Sequence, residues 1–82
     1  MNEELIQDLL DKVDEVIELI NKHENETLED MKHGIYDTIL NTIGVENEFD
    51  KREPFYELFF EYESKLIDHE TLINNIRLRK YS

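Results

Sequence analysis

The chain of 82 residues has no cysteine and no tryptophan, and it contains one proline, two glycines and nine basic residues. Without cysteine, neither a disulfide framework nor a thiolate metal site can stabilise the fold. Zero cysteine also fits a reducing compartment. The apolar runs are too short to cross a membrane, and the N-terminus shows no signal peptide. We therefore expect a cytoplasmic protein.

Acidic residues dominate the composition, since 21 aspartates and glutamates oppose nine lysines and arginines and give a formal charge of −12. Such a surface repels nucleic acids and anionic membranes and attracts basic proteins. A chain of this size buries only about 60% of its unfolded surface, which leaves little stability to spare for a demanding active site. The sequence therefore favours a protein that binds a basic partner, with no direct contact to nucleic acid or membrane.

The spacing of apolar residues predicts an all-α fold. In the first segment these residues recur at alternating intervals of three and four, at Ile6, Leu9, Val13, Val16 and Ile20. This period is typical of a helix with one buried face. We predict a small bundle of three to four antiparallel helices with short loops, in a single domain. The expected helices cover residues 3–23, 27–43, 54–67 and 69–79.

Residues with known preferences for helix ends suggest the boundaries. Thr27 is expected to cap the second helix, and Gly44 to end it in a left-handed turn. Pro54 is expected in the first turn of the third helix, after a polar loop anchored by Phe49. Asp68 is a plausible cap for a short fourth helix, the alternative being one long helix that bends there.

A ridge of carboxylates follows one face of the first helix. Its members are spaced by four, three, four and three residues: Glu4, Asp8, Asp11, Glu15 and Glu18. At a rise of 1.5 Å per residue, the ridge is about 21 Å long. It either imitates a line of phosphates and steers the protein to a basic partner, or is a solvated face. The acidic excess is larger than solubility needs, which favours a partner.

The third helix carries five aromatic residues between Phe55 and Tyr62. We expect Tyr56 and Phe60, with Glu63, to form an amphipathic recognition patch, because aromatic residues are common interface anchors. The alternative, and the simpler explanation for any single ring, is that these rings cover the fourth helix and the loop around Phe49. Glu63 falls inside the apolar arc, where burial would raise the pKa of its carboxyl group.

Two pairs of carboxylates have a spacing known from an enzyme family. Glu15-x-x-Glu18 and Glu26-x-x-Glu29, with Asp30 adjacent, resemble the motifs of MazG-type nucleotide pyrophosphohydrolases, helical enzymes that hold Mg²⁺ with such pairs. The resemblance implies a Mg²⁺-dependent hydrolase. However, acidic pairs at this spacing are as frequent here as the composition alone predicts, and the first pair lies on the outward ridge. We therefore expect no enzymatic activity.

The remaining chemistry-bearing residues indicate no cofactor. The three histidines lie far apart, and only Glu29, His33 and Asp37 share a helix face that could bind a metal weakly. We expect surface histidines and no metal. The C-terminal Arg77 and Arg79 are expected to neutralise a helix end and to pair with carboxylates of the first helix.

Three functions remain in order of preference. The first is an inhibitor of a basic partner, either an immunity protein to a nuclease toxin or a phage or plasmid DNA mimic. Bacterial immunity proteins are similar in size, charge and helicity, although no motif is shared. The second is a homodimeric structural or accessory subunit. The third is the MazG-like hydrolase.

Overall fold

The computed structural model describes residues 2–81, in which four helices and no strand occur. The helices are α1 (Glu3–Lys22), α2 (Glu26–Thr42), α3 (Phe49–Glu63) and α4 (His69–Tyr81). This confirms the all-α bundle predicted from the apolar spacing. None of the helices within the described part of the chain is long and apolar enough to cross a membrane.

The ends of α2 follow local side-chain chemistry. The cap is Asn25, whose side-chain oxygen accepts the Thr27 N–H at 2.8 Å, so Thr27 lies inside the helix and the prediction that it caps was wrong. Asparagine suits the position because its side chain reaches the N–H two residues further on. Gly44 ends α2 with φ of 82°, as predicted, and the Val45 N–H bonds the Leu40 carbonyl.

Helix α3 begins at Phe49, five residues before the proline that was expected in its first turn. Pro54 therefore lies inside the helix. Phe49 is 70% exposed and anchors nothing, whereas Arg52 is 2% exposed. The guanidinium of Arg52 bonds the carbonyl oxygens of Val45 and Glu46, which holds the preceding segment against the first turn of α3.

A sharp break separates α3 from α4, so the alternative of one bent helix was wrong. Helix α3 ends at Glu63, before the predicted residue 67, and Lys65 takes a left-handed conformation with φ of 62°. The Leu66 N–H then bonds the Glu61 carbonyl at 2.9 Å. Asp68 caps α4 as predicted, accepting the Thr71 N–H at 2.8 Å.

All four helices contribute to one apolar core. The short turn after α1 returns α2 antiparallel to it, and α4 packs against both α1 and α3. Helices α2 and α3 are joined by Tyr36 and Phe59, whose rings stack at 4.2 Å. Gly34 marks no close helix crossing, because a Cβ placed there would have no neighbour within 4 Å.

Candidate functional site

A cleft of about 540 Å³ opens between the second half of α1, the end of α3 and the connection to α4. Helix α1 supplies Asp14 and Glu18, and α3 supplies Tyr62 and Glu63. The connection is held in place by the left-handed turn at Lys65 and by the Asp68 cap, and the cleft lies beneath it. These backbone features place Lys65 and Asp68 at the cleft.

The cleft is strongly acidic. Four carboxylates line it, at Asp14, Glu18, Glu63 and Asp68, against the single lysine Lys65. The backbone N–H and hydroxyl of Thr71 donate to Asp68 and lower the pKa of its carboxyl group, which favours the ionised form. The concentration of negative charge in a concave surface attracts cations.

Glu63 is held by two partners on α2. The hydroxyl of Tyr36 donates to Glu63 Oε1 at 2.6 Å, and Lys32 Nζ lies 3.1 Å from the same oxygen. Lys32 also contacts Glu29 at 3.0 Å. Burial lowers the pKa of Lys32, but the hydrogen bonds and charges of both glutamates outweigh it and raise that pKa overall. The negative charge of Glu63 is thus balanced by the ammonium group of Lys32, and its carboxylate also accepts a hydrogen bond from the Tyr36 hydroxyl.

His69 lies at the edge of the cleft within a network of polar side chains. Its Nε2 is 2.9 Å from Asp14 Oδ2, and the Tyr62 hydroxyl contacts both His69 Nε2 and Asp14 Oδ1. Its Nδ1 accepts from Gln7 Nε2 at 2.6 Å. The side chain is 26% exposed, so His69 is a partly exposed histidine that packs between α1 and α3. Asp14 and His69 are 55 residues apart, and no local pattern links them.

Apolar side chains lie beside the carboxylates that line the cleft. Ile17 and Ile67 are half-buried beside the core, whereas Leu66 is 71% exposed at the cleft. Leu66 follows the left-handed Lys65 directly and lies in the connection, three residues after the end of α3. The cleft therefore combines charge with an exposed aliphatic side chain.

The structure brings some of the predicted partner-binding residues together and leaves others apart. Glu18 and Glu63 line the cleft. Asp11 lies beside it, with Oδ1 3.9 Å from His69 Nδ1. Asp8 and Glu15 are exposed on α1 but do not line the cleft.

The aromatic half of the predicted recognition patch lies elsewhere. Tyr56 turns towards α2, where its hydroxyl donates to Asp37 at 3.0 Å and its ring meets His33 edge-on. Asp37 is therefore engaged by residues of α3. Phe60 is 67% exposed and does not line the cleft. Of the two aromatic rings in the predicted patch, one therefore packs against α2 and the other is exposed to solvent.

The two carboxylate pairs that resemble the MazG motifs do not meet. Among residues 2–81, the only group of metal-ligating side chains at binding distance is Asp11, Asp14 and His69. Glu29 instead pairs with Lys32. Arg77 forms an ion pair with Glu3, which confirms that the basic C-terminus pairs with carboxylates of α1.

Comparison of the chain with protein-family models, with curated proteins and with solved structures found no match. Its chemistry must therefore be inferred from the cleft itself. Carboxylates in a concave site bind an ammonium, a guanidinium or a metal ion. The neighbouring leucine favours a ligand that also has an apolar part.

Proposed function

We propose that the protein binds a basic macromolecular partner and blocks it, using the acidic cleft as the docking site. An arginine or lysine of the partner enters between Glu18 and Glu63, and an apolar residue beside it packs on Leu66. The observation that carries the proposal is this combination of four carboxylates and one exposed leucine in a single cleft. A nuclease toxin or another nucleic-acid-binding protein is the class of partner with a matching basic surface.

The outward ridge of α1 supports binding in a different way. Glu4, Asp8 and Glu15 are exposed and add to the formal charge of −12. Charges of this kind accelerate the encounter with a basic partner, whereas contacts that exclude water determine how long the complex lasts. The ridge therefore steers the partner, and the cleft holds it.

The proposal is tested with a short synthetic peptide in which arginine alternates with leucine. Amide resonances are followed by NMR during titration of the full chain at about 0.15 M salt. We expect the largest shifts at Glu18, Leu66 and Ile67. Glu18→Gln is expected to weaken binding about fivefold, which corresponds to one partly exposed ion pair.

Glu4→Gln is the matched control, since it removes the same charge from the far end of α1. It is expected to change the affinity less than twofold while still slowing association. Leu66→Ser tests the apolar contact and is expected to weaken binding with no change in salt dependence. Equal effects of Glu18→Gln and Glu4→Gln, or shifts spread over the whole ridge, would refute the cleft as the docking site.

Self-association is a second candidate function, favoured by Phe60. Phe60 on α3 is 67% exposed, and Met31 on α2 is 50% exposed. A homodimer would bury such rings. Sedimentation analysis over a wide concentration range tests this: Phe60→Ser is expected to abolish any dimer, and a monomer at every concentration would remove the candidate.

A further inference from the structure

We propose that Asp11, Asp14 and His69 form a binding site for a divalent transition-metal ion, for which Zn²⁺ is the best match. One ligand atom from each of the three residues lies within 4.8 Å of the others. Asp11 and Asp14 are neighbours on one face of α1 through their spacing of three, and His69 comes from the first turn of α4. The site therefore bridges the two helices.

The separation of the ligand atoms suits a small ion after a minor adjustment. An ion with bonds of about 2.0–2.1 Å in a tetrahedral arrangement places its ligand atoms roughly 3.4 Å apart. His69 Nε2 and Asp14 Oδ2 are 2.9 Å apart and must separate slightly. The Asp11 carboxylate, whose Oδ1 lies 3.9 Å from Nδ1, must move towards Nε2, and its side chain is 60% exposed.

The imidazole ring of His69 is already oriented. Gln7 bonds its Nδ1 at 2.6 Å, so Nε2 is directed at Asp14. A histidine that binds metal through one nitrogen usually has its other nitrogen fixed by a hydrogen bond in this way. If the Gln7 amide rotates by half a turn, its oxygen accepts a hydrogen bond from Nδ1–H. In that tautomer the imidazole proton is on Nδ1, and the Nε2 lone pair is available to the ion.

The donor set selects the kind of ion. Two carboxylates compensate the charge of a divalent cation, and an imidazole nitrogen favours Zn²⁺ over Mg²⁺ and Ca²⁺, which prefer oxygen ligands. The Tyr62 hydroxyl, in contact with Asp14 and His69, closes the side that faces the core. The ion would therefore bind from the solvent side, with water in its open position.

The test measures the melting temperature and a spectrum on the full chain. Saturating Zn²⁺ is expected to raise the melting temperature by about 5 °C or more, and an excess of Mg²⁺ is expected to leave it unchanged. Co²⁺ in place of Zn²⁺ is expected to give visible absorption bands from a site with a nitrogen ligand. The spectrum reports on the site independently of stability.

Three variants locate the ion. His69→Gln is expected to abolish the Co²⁺ bands, and Gln7→Leu to weaken the Zn²⁺ affinity about 10–100-fold. His33→Gln is the matched control, since it removes an exposed histidine from α2, and binding should be unaffected. If His69→Gln retains the bands, or wild type gives neither bands nor stabilisation, the proposal is wrong. Peptide binding at the cleft is measured in the absence of metal. A failure of the peptide to bind would therefore count against the proposed function and not against the metal site.

Discussion

Arg52 Nη1 lies 3.2 Å from Asp37 Oδ1 and thereby joins the first turn of α3 to the middle of α2. The same guanidinium donates through Nη2 to Asn41 Oδ1 at 2.6 Å and to the Val45 carbonyl at 3.0 Å. A buried charge is tolerated only when its hydrogen bonds are made. Arg52 meets this requirement with both side-chain and main-chain acceptors, so it fixes the loop between the two helices.

Replacing this arginine should therefore destabilise the protein strongly. We expect Arg52→Met to lower the free energy of unfolding by about 3 kcal/mol, because it removes the donor from two part-buried carbonyl oxygens and from two side-chain acceptors on α2. Lys51→Met is the matched control; its side chain is 54% exposed, and a change within about 0.5 kcal/mol is expected. Urea titration of both variants measures the difference. Equal stabilities would show that the buried network contributes little.

Ionisation of buried tyrosines should make the fold sensitive to alkali. Burial and the hydrogen bond to Glu63 raise the pKa of Tyr36, and burial with the hydrogen bond to Asp14 raises that of Tyr62. Unfolded tyrosine ionises near pH 10, so stability is unaffected by these groups below that pH and falls as the pH rises above it. The raised pKa of Lys32 acts in the same direction.

Tyr36→Phe tests this dependence. At pH 7 the variant should be less stable by about 1 kcal/mol, because its hydrogen bond to Glu63 is lost. Above about pH 10 its stability should fall less steeply than that of wild type, since one ionising group has been removed. Urea midpoints measured across this pH range show how steeply the stability of each protein falls with pH. Parallel slopes would contradict the assignment to Tyr36.

The two glycines should respond in opposite ways to alanine. Gly34 lies within α2 with open space around the position of a Cβ, so Gly34→Ala should stabilise the protein by about 1 kcal/mol through helix propensity. Gly44 has φ of 82°, a conformation that alanine rarely adopts, so Gly44→Ala should destabilise by about 1 kcal/mol. Thermal melts of both variants show whether each substitution raises or lowers the melting temperature. The same sign for both would be inconsistent with the backbone described above.

Adjacent phenylalanines on α3 should differ greatly in their contribution to stability. Phe59 is 2% exposed and stacks on Tyr36, so Phe59→Ala should cost about 3–5 kcal/mol. Phe60 is 67% exposed, and Phe60→Ala should change stability by less than about 0.5 kcal/mol. Chemical denaturation at low protein concentration keeps self-association out of the comparison. A large cost at Phe60 under those conditions would mean that the residue packs within the monomer.

Local patterns were sufficient to predict the helices and several of their ends. The period of apolar residues along α1 predicts its buried face, and Gly44 and Asp68 were recognised as ends because their preferences act within a few residues. The start of α3 was not predictable in this way. It depends on Arg52, whose acceptors lie on α2 and in the loop, and a charged residue next to Lys51 gives no local sign of burial.

The sequence by itself determined the helical class, the excess of negative charge and the exposed ridge of carboxylates on α1, because these follow from composition and from a period of a few residues. Only the tertiary structure decided which carboxylates act together. Asp14 meets His69 across 55 residues, and Glu18 and Glu63 come to one cleft from different helices. Such pairings depend on how the helices pack against one another, which is a property of the whole core rather than of any segment.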